Sequence, residues 1–249
     1  MKAIRLKTEF LSDPIGVDFQ HPLLTWNCEG GEKQTAYRIV ARIYGATVWD
    51  SGKVVSDSMR VTYPKELNSR ERVEWCVTLW DECDLEGEPS KAFFEMGLLS
   101  PEDFKAKWIT GNYKVNKKER YPVDCFRKIF TAGKVKKARL YATACGLYEA
   151  HINGKRVGDF VLAPGITNYK KRLQYQTYDV TDQLRTAADK AELSFLMGNG
   201  WWKGRFDNNY PEYEPDPALG GAEKLKEAIA EVQRLGGHVI LYSNGNLID

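Results

Sequence analysis

The sequence predicts a mainly β protein made of two sandwich modules, followed by a short tail of α/β character. Three observations lead to this fold class. Short segments of alternating apolar and polar residues recur through the first hundred positions of the 249-residue chain. An Asn-Gly pair stands between two such segments in the second hundred, and a helical pattern begins only at residue 222. Alternation with a period of two is typical of strands that bury one face, and a longer period is typical of helices.

The first module, residues 1–99, is expected to contain seven short strands separated by polar turns. Residues 35–44 and 72–80 show the clearest alternation. The side chains expected to face the core along these two segments are those of Tyr37, Ile39, Ala41, Ile43, Val73, Trp75, Val77 and Leu79. Regularly spaced short strands favour a two-sheet sandwich of fibronectin or immunoglobulin type. Cys76 falls on the outward face of its strand, so we expect no disulfide between the sheets.

The second module, residues 100–206, begins with a short linker. Ser100 is suited to cap a helical turn there, and Pro101 is suited to its first position. Further along, Asn153 and Gly154 lie between two alternating runs. This pair is the strongest short-range signal of a tight hairpin, because both residues accept positive φ angles. We therefore expect a hairpin at this point within a strand-rich module.

The tail, residues 207–249, changes character. A proline-rich loop comes first, and apolar residues then recur at helical spacing over residues 222–235. A nearly continuous apolar run follows at residues 238–242. A helix followed by a buried strand is typical of an α/β unit rather than of a sandwich, so we expect the tail to differ in origin from the two modules.

Composition excludes several classes of protein. A net charge of +2 argues against a nucleic-acid partner, whose binding face would need a surplus of basic residues. No apolar run approaches the roughly 18 residues of a membrane span, and no signal peptide is visible, so we expect no membrane partner and a cytoplasmic location. The five cysteines form no C-x-x-C pair and the three histidines lie far apart, so we expect no metal site and no cofactor.

Several sequence blocks carry a family resemblance. In the second module these are GLYEAHINGKRVGDFVLAPGITNYKKRLQYQTYDVTDQL and LMGNGWWKGR, and in the first they are PLLTW, QTAYRI, WDSGKV and FEMGLL. Taken in their order along the chain, these blocks resemble the N-terminal β-sandwich region of bacterial α-L-rhamnosidases of glycoside hydrolase family 78. The resemblance covers about residues 1–206, so it leaves out the tail.

The resemblance implies a fibronectin-like sandwich followed by a jelly-roll module that is incomplete at its end. It also implies that the catalytic carboxylates belong to a later barrel domain, so we expect a chain truncated before that barrel and no catalytic residue here. The expected partners are the catalytic barrel and rhamnose-containing glycans or glycosides. Calcium is implied by the resemblance alone, without a ligand pattern. A sandwich without its last strands exposes edges, so we also expect self-association.

The candidate sugar-binding residues lie around the hairpin, on a polar run after it and in the tryptophan-rich block. They are Tyr148, Asn153, Asp159, Asn168, Tyr169, Arg172, Trp201 and Trp202. Aromatic faces stack on sugar rings, and asparagine and arginine donate hydrogen bonds to hydroxyls. The alternative is a core tyrosine, a turn asparagine, a solvated strand edge and tryptophans that pack against a neighbouring domain.

Glycoside hydrolysis within this chain would need two facing carboxyl groups. The available ones, Glu149, Asp159, Asp179 and Glu192, fall on different strands and turns, and we expect no shared pocket. The acidic turn at residues 81–88 is interpreted as a solvated hairpin. The leading hypothesis is therefore a non-catalytic region that binds carbohydrate or supports a substrate cleft. The alternatives are a scaffold without ligand and a minimal hydrolase of terminal α-L-rhamnosides.

Overall fold

The computed structural model describes residues 1–114, 124–186, 190–197, 214–215, 217 and 220–234. The chain forms two compact units, Met1–Trp108 and Ile109–Asp249. Strands dominate both units, and the mainly β fold class is confirmed. The sequence places the first boundary at residues 99–100. The three predicted domain ranges, 1–99, 100–206 and 207–249, stay predictions. The predicted strand at residues 238–242 lies outside the described residues.

The first unit is a sandwich of two sheets. Its strands are β1 (Lys2–Thr8), β2 (Ile15–Val17), β3 (Leu23–Glu29), β4 (Ala36–Ile43), β5 (Ala46–Asp50), β6 (Val54–Val55), β7 (Arg60–Thr62), β8 (Arg72–Trp80) and β9 (Ser90–Met96). One sheet has the order β1-β3-β7, and the other has the order β2-β9-β8-β4-β5 with β6 paired to β4. All neighbours are antiparallel except β2 and β9, which run parallel.

Alternating side chains of β4 and β8 build the core of this unit, as the sequence predicts. Trp75 is 2% exposed, and Val73, Val77 and Leu79 are fully buried. Trp26 of the opposite sheet packs edge-on against Tyr37, with ring centroids 5.3 Å apart. Burial of each such side chain stabilises the fold by about 1.5–3 kcal/mol, because its apolar surface leaves water. Apolar burial between two sheets is therefore what holds the first unit together.

Gln34 joins the sheets by hydrogen bonds inside this core. Its side-chain oxygen accepts a bond of 2.9 Å from the indole N–H of Trp26, and its amide nitrogen donates to the carbonyls of Ser56 (3.0 Å) and Ser58 (2.9 Å). The residue is 4% exposed. A buried amide is tolerated because its donors and acceptor are satisfied. Gln34 therefore fixes the loop before β7 against the sandwich.

Two strands of the first unit were not predicted. β2 has three residues and β6 has two, so neither is long enough to show an alternating pattern. A 3-10 turn at Pro101–Asp103 follows β9, and the Ser100 side chain caps it as expected. Asp103 is bonded to the Ser69 hydroxyl, and its carbonyl accepts a bond of 2.8 Å from Arg70. The start of the predicted linker is therefore attached to the first unit.

The second unit is also built mainly from strands. Its elements are β10 (Asp124–Thr131), β11 (Arg139–Ala142), β12 (Glu149–Ile152), β13 (Lys155–Arg156), β14 (Gln176–Asp179), α1 (Thr181–Arg185), β15 (Lys190–Met197) and α2 (Gly221–Arg234). One sheet has the order β10-β15-β12-β13, and β11 pairs with β14 in a second sheet. The core cluster comprises Ala142, Ala144, Tyr148, Ala150, Ile152, Val157, Ala163 and Val180. Small side chains dominate it.

The hairpin predicted at Asn153 and Gly154 is confirmed. These two residues join β12 to β13 with φ angles of 51° and 73°. Two successive positive φ angles match the twist of the flanking strands, and asparagine and glycine adopt them at the lowest steric cost. The turn therefore sets the register that pairs His151 with Arg156.

Candidate functional site

Tyr148 lies in the core of the second unit, at the start of the hairpin. It is 7% exposed, its hydroxyl donates to the carbonyl of Ala142 at 3.3 Å, and it lies 3.2 Å from the hydroxyl of Tyr178. Burial raises the pKa of the Tyr148 hydroxyl well above its ordinary value, and the bond to Tyr178 raises it further. The structure therefore places this residue as a core tyrosine, with no ring face open to a ligand in solvent.

Asn153 is engaged in the fold as well. Its side-chain oxygen accepts a hydrogen bond of 2.8 Å from the backbone N–H of Glu192, and its own N–H donates to the Glu192 carbonyl at 2.9 Å. These two bonds attach the hairpin tip to β15. One acceptor position of the exposed Asn153 side chain is thus used within the protein, and its sugar-binding role stays a prediction.

The candidate surface that stays accessible is the segment after the hairpin, residues 159–172, which we name the rim loop. Its backbone is held in place by the hairpin: the N–H of Tyr148 donates to the carbonyl of Ala163 at 2.8 Å, and Arg156 donates to the carbonyl of Phe160 at 3.0 Å. Hydrogen bonds of this length restrain a loop to one path. The rim loop therefore presents a defined surface.

Apolar side chains cover much of the rim loop. Their exposed fractions are 51% for Phe160, 66% for Val161, 65% for Leu162, 83% for Ile166 and 40% for Tyr169. Single exposed apolar residues are ordinary, but a group of them on one loop marks an interaction surface. Sequence reasoning did not single out this group. The available signal was the run Phe160-Val161-Leu162 at a position where no strand was expected.

The polar candidates of the rim loop are exposed. Asn168 accepts a bond of 3.2 Å from the N–H of Lys170 through its side chain, and its carbonyl accepts from the N–H groups of Lys171 (2.8 Å) and Arg172 (2.9 Å). This turn brings Asn168, Tyr169 and Arg172 to one end of the loop, and Asp159 stands at its other end. Trp201 and Trp202 lie outside the described residues, and their role stays a prediction.

Three of the four candidate carboxylates, those of Glu149, Asp179 and Glu192, lie beside a basic side chain. Glu149 contacts His151 at 2.6 Å and Arg156 at 3.2 Å, and Glu192 contacts Arg127 at 2.6 Å. A general acid for glycoside hydrolysis must hold its proton near neutral pH.

The carboxylate of Asp179 is paired with the guanidinium of Arg139 at 2.8 Å. Burial alone would raise the pKa of Asp179, but the bonds from Thr181 and the nearby Arg139 outweigh burial and hold the pKa below its ordinary value. The Asp179 carboxyl group is therefore held in its charged form, which is not the form that a proton donor for hydrolysis needs.

The described part of the chain was expected to hold no metal site and no membrane span. No group of three or more His, Cys, Asp or Glu side chains is placed there to hold a metal ion. All five cysteines are free thiols. None of the described helices is long and apolar enough to cross a membrane.

Comparison with known families assigns both units. Residues 3–100 match the Rha78A-like N-terminal immunoglobulin domain, and residues 133–231 match the alpha-L-rhamnosidase N-terminal domain. The second match extends beyond residue 206 and includes most of α2, which the sequence placed in a tail of different character. For the first unit the match is to an immunoglobulin domain, and the fibronectin alternative stays a prediction.

Relatives and solved structures agree with these families. An alpha-L-rhamnosidase of Formosa agariphila is 34% identical over 243 residues, which are 84% of this chain and 25% of that protein. An alpha-L-rhamnosidase of Streptomyces avermitilis is 54% identical over 87 residues, 34% of this chain and 8% of that protein.

Among solved structures, the alpha-L-rhamnosidase from Dictyoglumus thermophilum is 35% identical with a TM-score of 0.68, over 81% of this chain and 25% of that one. The alpha-L-rhamnosidase from Aspergillus terreus is 29% identical with a TM-score of 0.69, over 85% of this chain and 25% of that one. The chain thus spans about a quarter of the length of the relatives that it matches most fully. Its two units carry the N-terminal domains of the α-L-rhamnosidase family.

Proposed function

We propose that this chain is a non-catalytic accessory region of an α-L-rhamnosidase, and that its rim loop packs against the catalytic part of the enzyme to support the substrate cleft. The observation that carries the proposal is the exposure of Phe160, Val161, Leu162 and Ile166 on a backbone fixed by hydrogen bonds. These four side chains are between 51% and 83% exposed, so they are available to a partner surface.

The energetics favour a protein partner for this surface. Burying an exposed apolar side chain of this size contributes about 1.5–3 kcal/mol, so four of them together form a substantial interface core. The relatives supply a partner of the right kind, since the rhamnosidases that this chain matches continue for about three times its matched length. The proposed contact is therefore between the rim loop and the portion of such an enzyme that lies beyond the matched quarter.

A second candidate function is contact with a rhamnose-containing glycan at the polar end of the rim loop. Asn168, Tyr169 and Arg172 favour it, because they combine an exposed aromatic ring with donors to hydroxyl groups. Their turn is stabilised by backbone bonds, so the donors are held close together. Such a contact would be weak, since it lies on an open surface.

The proposal is tested in a chimera. The matching quarter of the Formosa agariphila relative is replaced by this chain, and turnover of p-nitrophenyl α-L-rhamnoside is compared with and without V161E/I166E. We expect the double variant to lower the activity and the melting temperature of the chimera, because charges on the rim loop oppose burial. Val55→Glu is the matched control, since Val55 is 85% exposed in the first unit.

Three further outcomes separate the alternatives. Equal activity of the V161E/I166E and V55E chimeras would contradict docking through the rim loop. Turnover of the same rhamnoside by the isolated chain would instead show that it is a minimal hydrolase. A saturable L-rhamnose titration of the isolated chain that Y169A abolishes would support the glycan contact.

A further inference from the structure

A groove crosses the outer face of the larger sheet in the first unit. Its volume is about 350 Å³. We name it the outer groove. Three neighbouring strands and the segment before β2 supply the polar and aromatic residues that line it: Asp13, Arg42, Arg72, Glu74, Cys76, Lys91 and Phe93. It is separate from the rim loop, which belongs to the second unit, and no function considered so far uses it.

Strand register explains why a groove forms here. β8 lies between β4 and β9, and Cys76 of β8 is paired with Val40 on one side and Lys91 on the other. Two residues before Cys76 on the same strand, Glu74 is paired with Arg42 of β4 and with Phe93 of β9. Adjacent strands are about 4.7–4.9 Å apart, so the long side chains of the outer strands rise on both sides of the short thiol. Cys76 therefore forms the floor.

The lining of the outer groove carries three cations, Arg42, Arg72 and Lys91, against two carboxylates, Asp13 and Glu74. Asp13 is already engaged, since its carboxylate accepts a bond of 2.9 Å from the Phe93 N–H. The side chains of Arg42 and Lys91 have no hydrogen bond or ion pair with any residue that the structure describes. Elsewhere on the same face, Arg38 is paired with Asp50 at 2.5 Å. An exposed sheet face usually pairs its charges with cross-strand partners, so two unpaired cations at one groove leave it attractive to an anion.

The remaining groups define the chemistry of the ligand. The Arg72 guanidinium lies 3.5 Å from the centroid of Phe93 and covers that ring, so the ring is closed to stacking by a sugar. Glu74 lies 3.9 Å from Arg72 and leaves its carboxylate oxygens exposed as acceptors. A simple anion would be repelled by Glu74, whereas a ligand with both a carboxylate and hydroxyl groups would satisfy the cations and the acceptor together.

A peptide ligand fits this surface less well. β8 is hydrogen-bonded along both edges, to β4 and to β9, so no strand can be added at the groove. The groove volume is at the lower end of the roughly 300–1,000 Å³ of small-molecule sites, which suits one sugar ring. We propose that the outer groove binds a sugar that carries a carboxylate, with Arg42 and Lys91 on the carboxylate and Glu74 accepting from its hydroxyls. The choice of a sugar among anions rests on the proposed function.

Thiol protection locates the binding. The full chain is treated with iodoacetamide in the presence of methyl β-D-glucuronide, and alkylation of Cys76 is followed by mass spectrometry. Methyl β-D-glucoside is the neutral control ligand, and Cys125 of the second unit is the internal reference thiol, since it is exposed and free. We expect saturable protection of Cys76 by the glucuronide alone, weakened by added salt because the contact is ionic.

Variants test the assignment. R42Q/K91Q should weaken the protection at least about tenfold, since two charge-assisted hydrogen bonds are lost. R60Q/K65Q removes the same charge outside the outer groove and should leave the protection unchanged. Equal protection by the glucoside, equal loss in both double variants, or no saturable protection would each overturn the proposal. None of these results bears on the rim loop, whose test is the activity of the chimera.

Discussion

The two units bury very different side chains. The first unit places Trp75, Tyr63 and Phe94 at its centre, each at most 2% exposed, between two sheets. Among the residues that the structure describes, the core cluster of the second unit has four alanines, and Tyr148 is its one aromatic member. Both units also turn apolar side chains outward, for example Phe10 in the first and Phe160 in the second. The contrast therefore lies in the described cores: large aromatic rings fill the first, and small side chains are prominent in the second.

The largest expected effect concerns the first unit. Trp75→Ala should lower its free energy of unfolding by about 3–5 kcal/mol, because the lost ring leaves a cavity that rigid sheets cannot close. Urea denaturation followed by far-UV circular dichroism measures the change. Tyr44→Ala is the control, since Tyr44 is 92% exposed. A loss below about 1 kcal/mol would mean that the aromatic core does not hold this unit together.

The next effect tests how tightly the small core of the second unit is packed. Gly158 has a φ angle of 69°, and an added Cβ would lie 2.5 Å from the Tyr178 ring. Gly154→Ala is the matched control, because Gly154 has a φ of 73° with open space around it. Gly154→Ala should cost about 1 kcal/mol from the backbone alone, and Gly158→Ala about 1–3 kcal/mol more from the clash. Equal melting temperatures would show that Tyr178 moves freely.

A smaller effect is expected for the hydrogen bonds that close the first unit. Gln34→Leu leaves the indole N–H of Trp26 and the carbonyls of Ser56 and Ser58 without their buried partner. We expect the free energy of unfolding to fall by about 1–3 kcal/mol. Indole fluorescence during denaturation reports the change. An unchanged midpoint would mean that water replaces the amide.

The smallest effect is a pH dependence in the first unit. Hydrogen bonds from Arg38 and from the Gly52 backbone lower the pKa of Asp50 from 3.8 to about 2. A lowered pKa in the folded state contributes stability that is complete above pH 3.8 and is lost as the pH falls towards 2. Because the pair is exposed, the contribution is small and weakens with salt. Asp50→Asn should therefore flatten the acid end of the stability profile slightly, as measured by melting between pH 2 and pH 5. If Asp50→Asn and the unchanged protein have the same stability profile over this pH range, the lowered pKa of Asp50 does not contribute to stability.

Much of the fold could be predicted, because its signals are local. The alternation along β4 and β8 and the Asn153-Gly154 turn each depend on neighbouring residues, and both are confirmed. The candidate site was harder to predict from the sequence than the fold. Tyr148 gives no local sign that its hydroxyl meets Ala142 and Tyr178, since that contact depends on the folding of three separate strands.

The accessible surfaces were missed for a related reason. Phe160, Val161 and Leu162 have the composition of a core strand, but they are 51–66% exposed beside a backbone bond between Tyr148 and Ala163, 15 residues apart in the chain. The outer groove likewise depends on which residues β4 and β9 place beside Cys76. Register across a sheet is set by the whole fold, so a single sequence does not display it.

The borders of the two sheets in the first unit are brief or irregular. β2 and β7 have three residues each, and β6 has two. The two longer border strands are irregular: β1 is interrupted by a shift in register between Ile4 and Lys7, and β5 by one at its pairing with Ala41 and Arg42 of β4. Borders of this kind give an approaching chain few backbone groups in line, and they are a known protection against intermolecular sheet growth. Unfolded copies should therefore rarely add strands to the sheets of the native first unit, and we expect this unit to resist aggregation at high concentration.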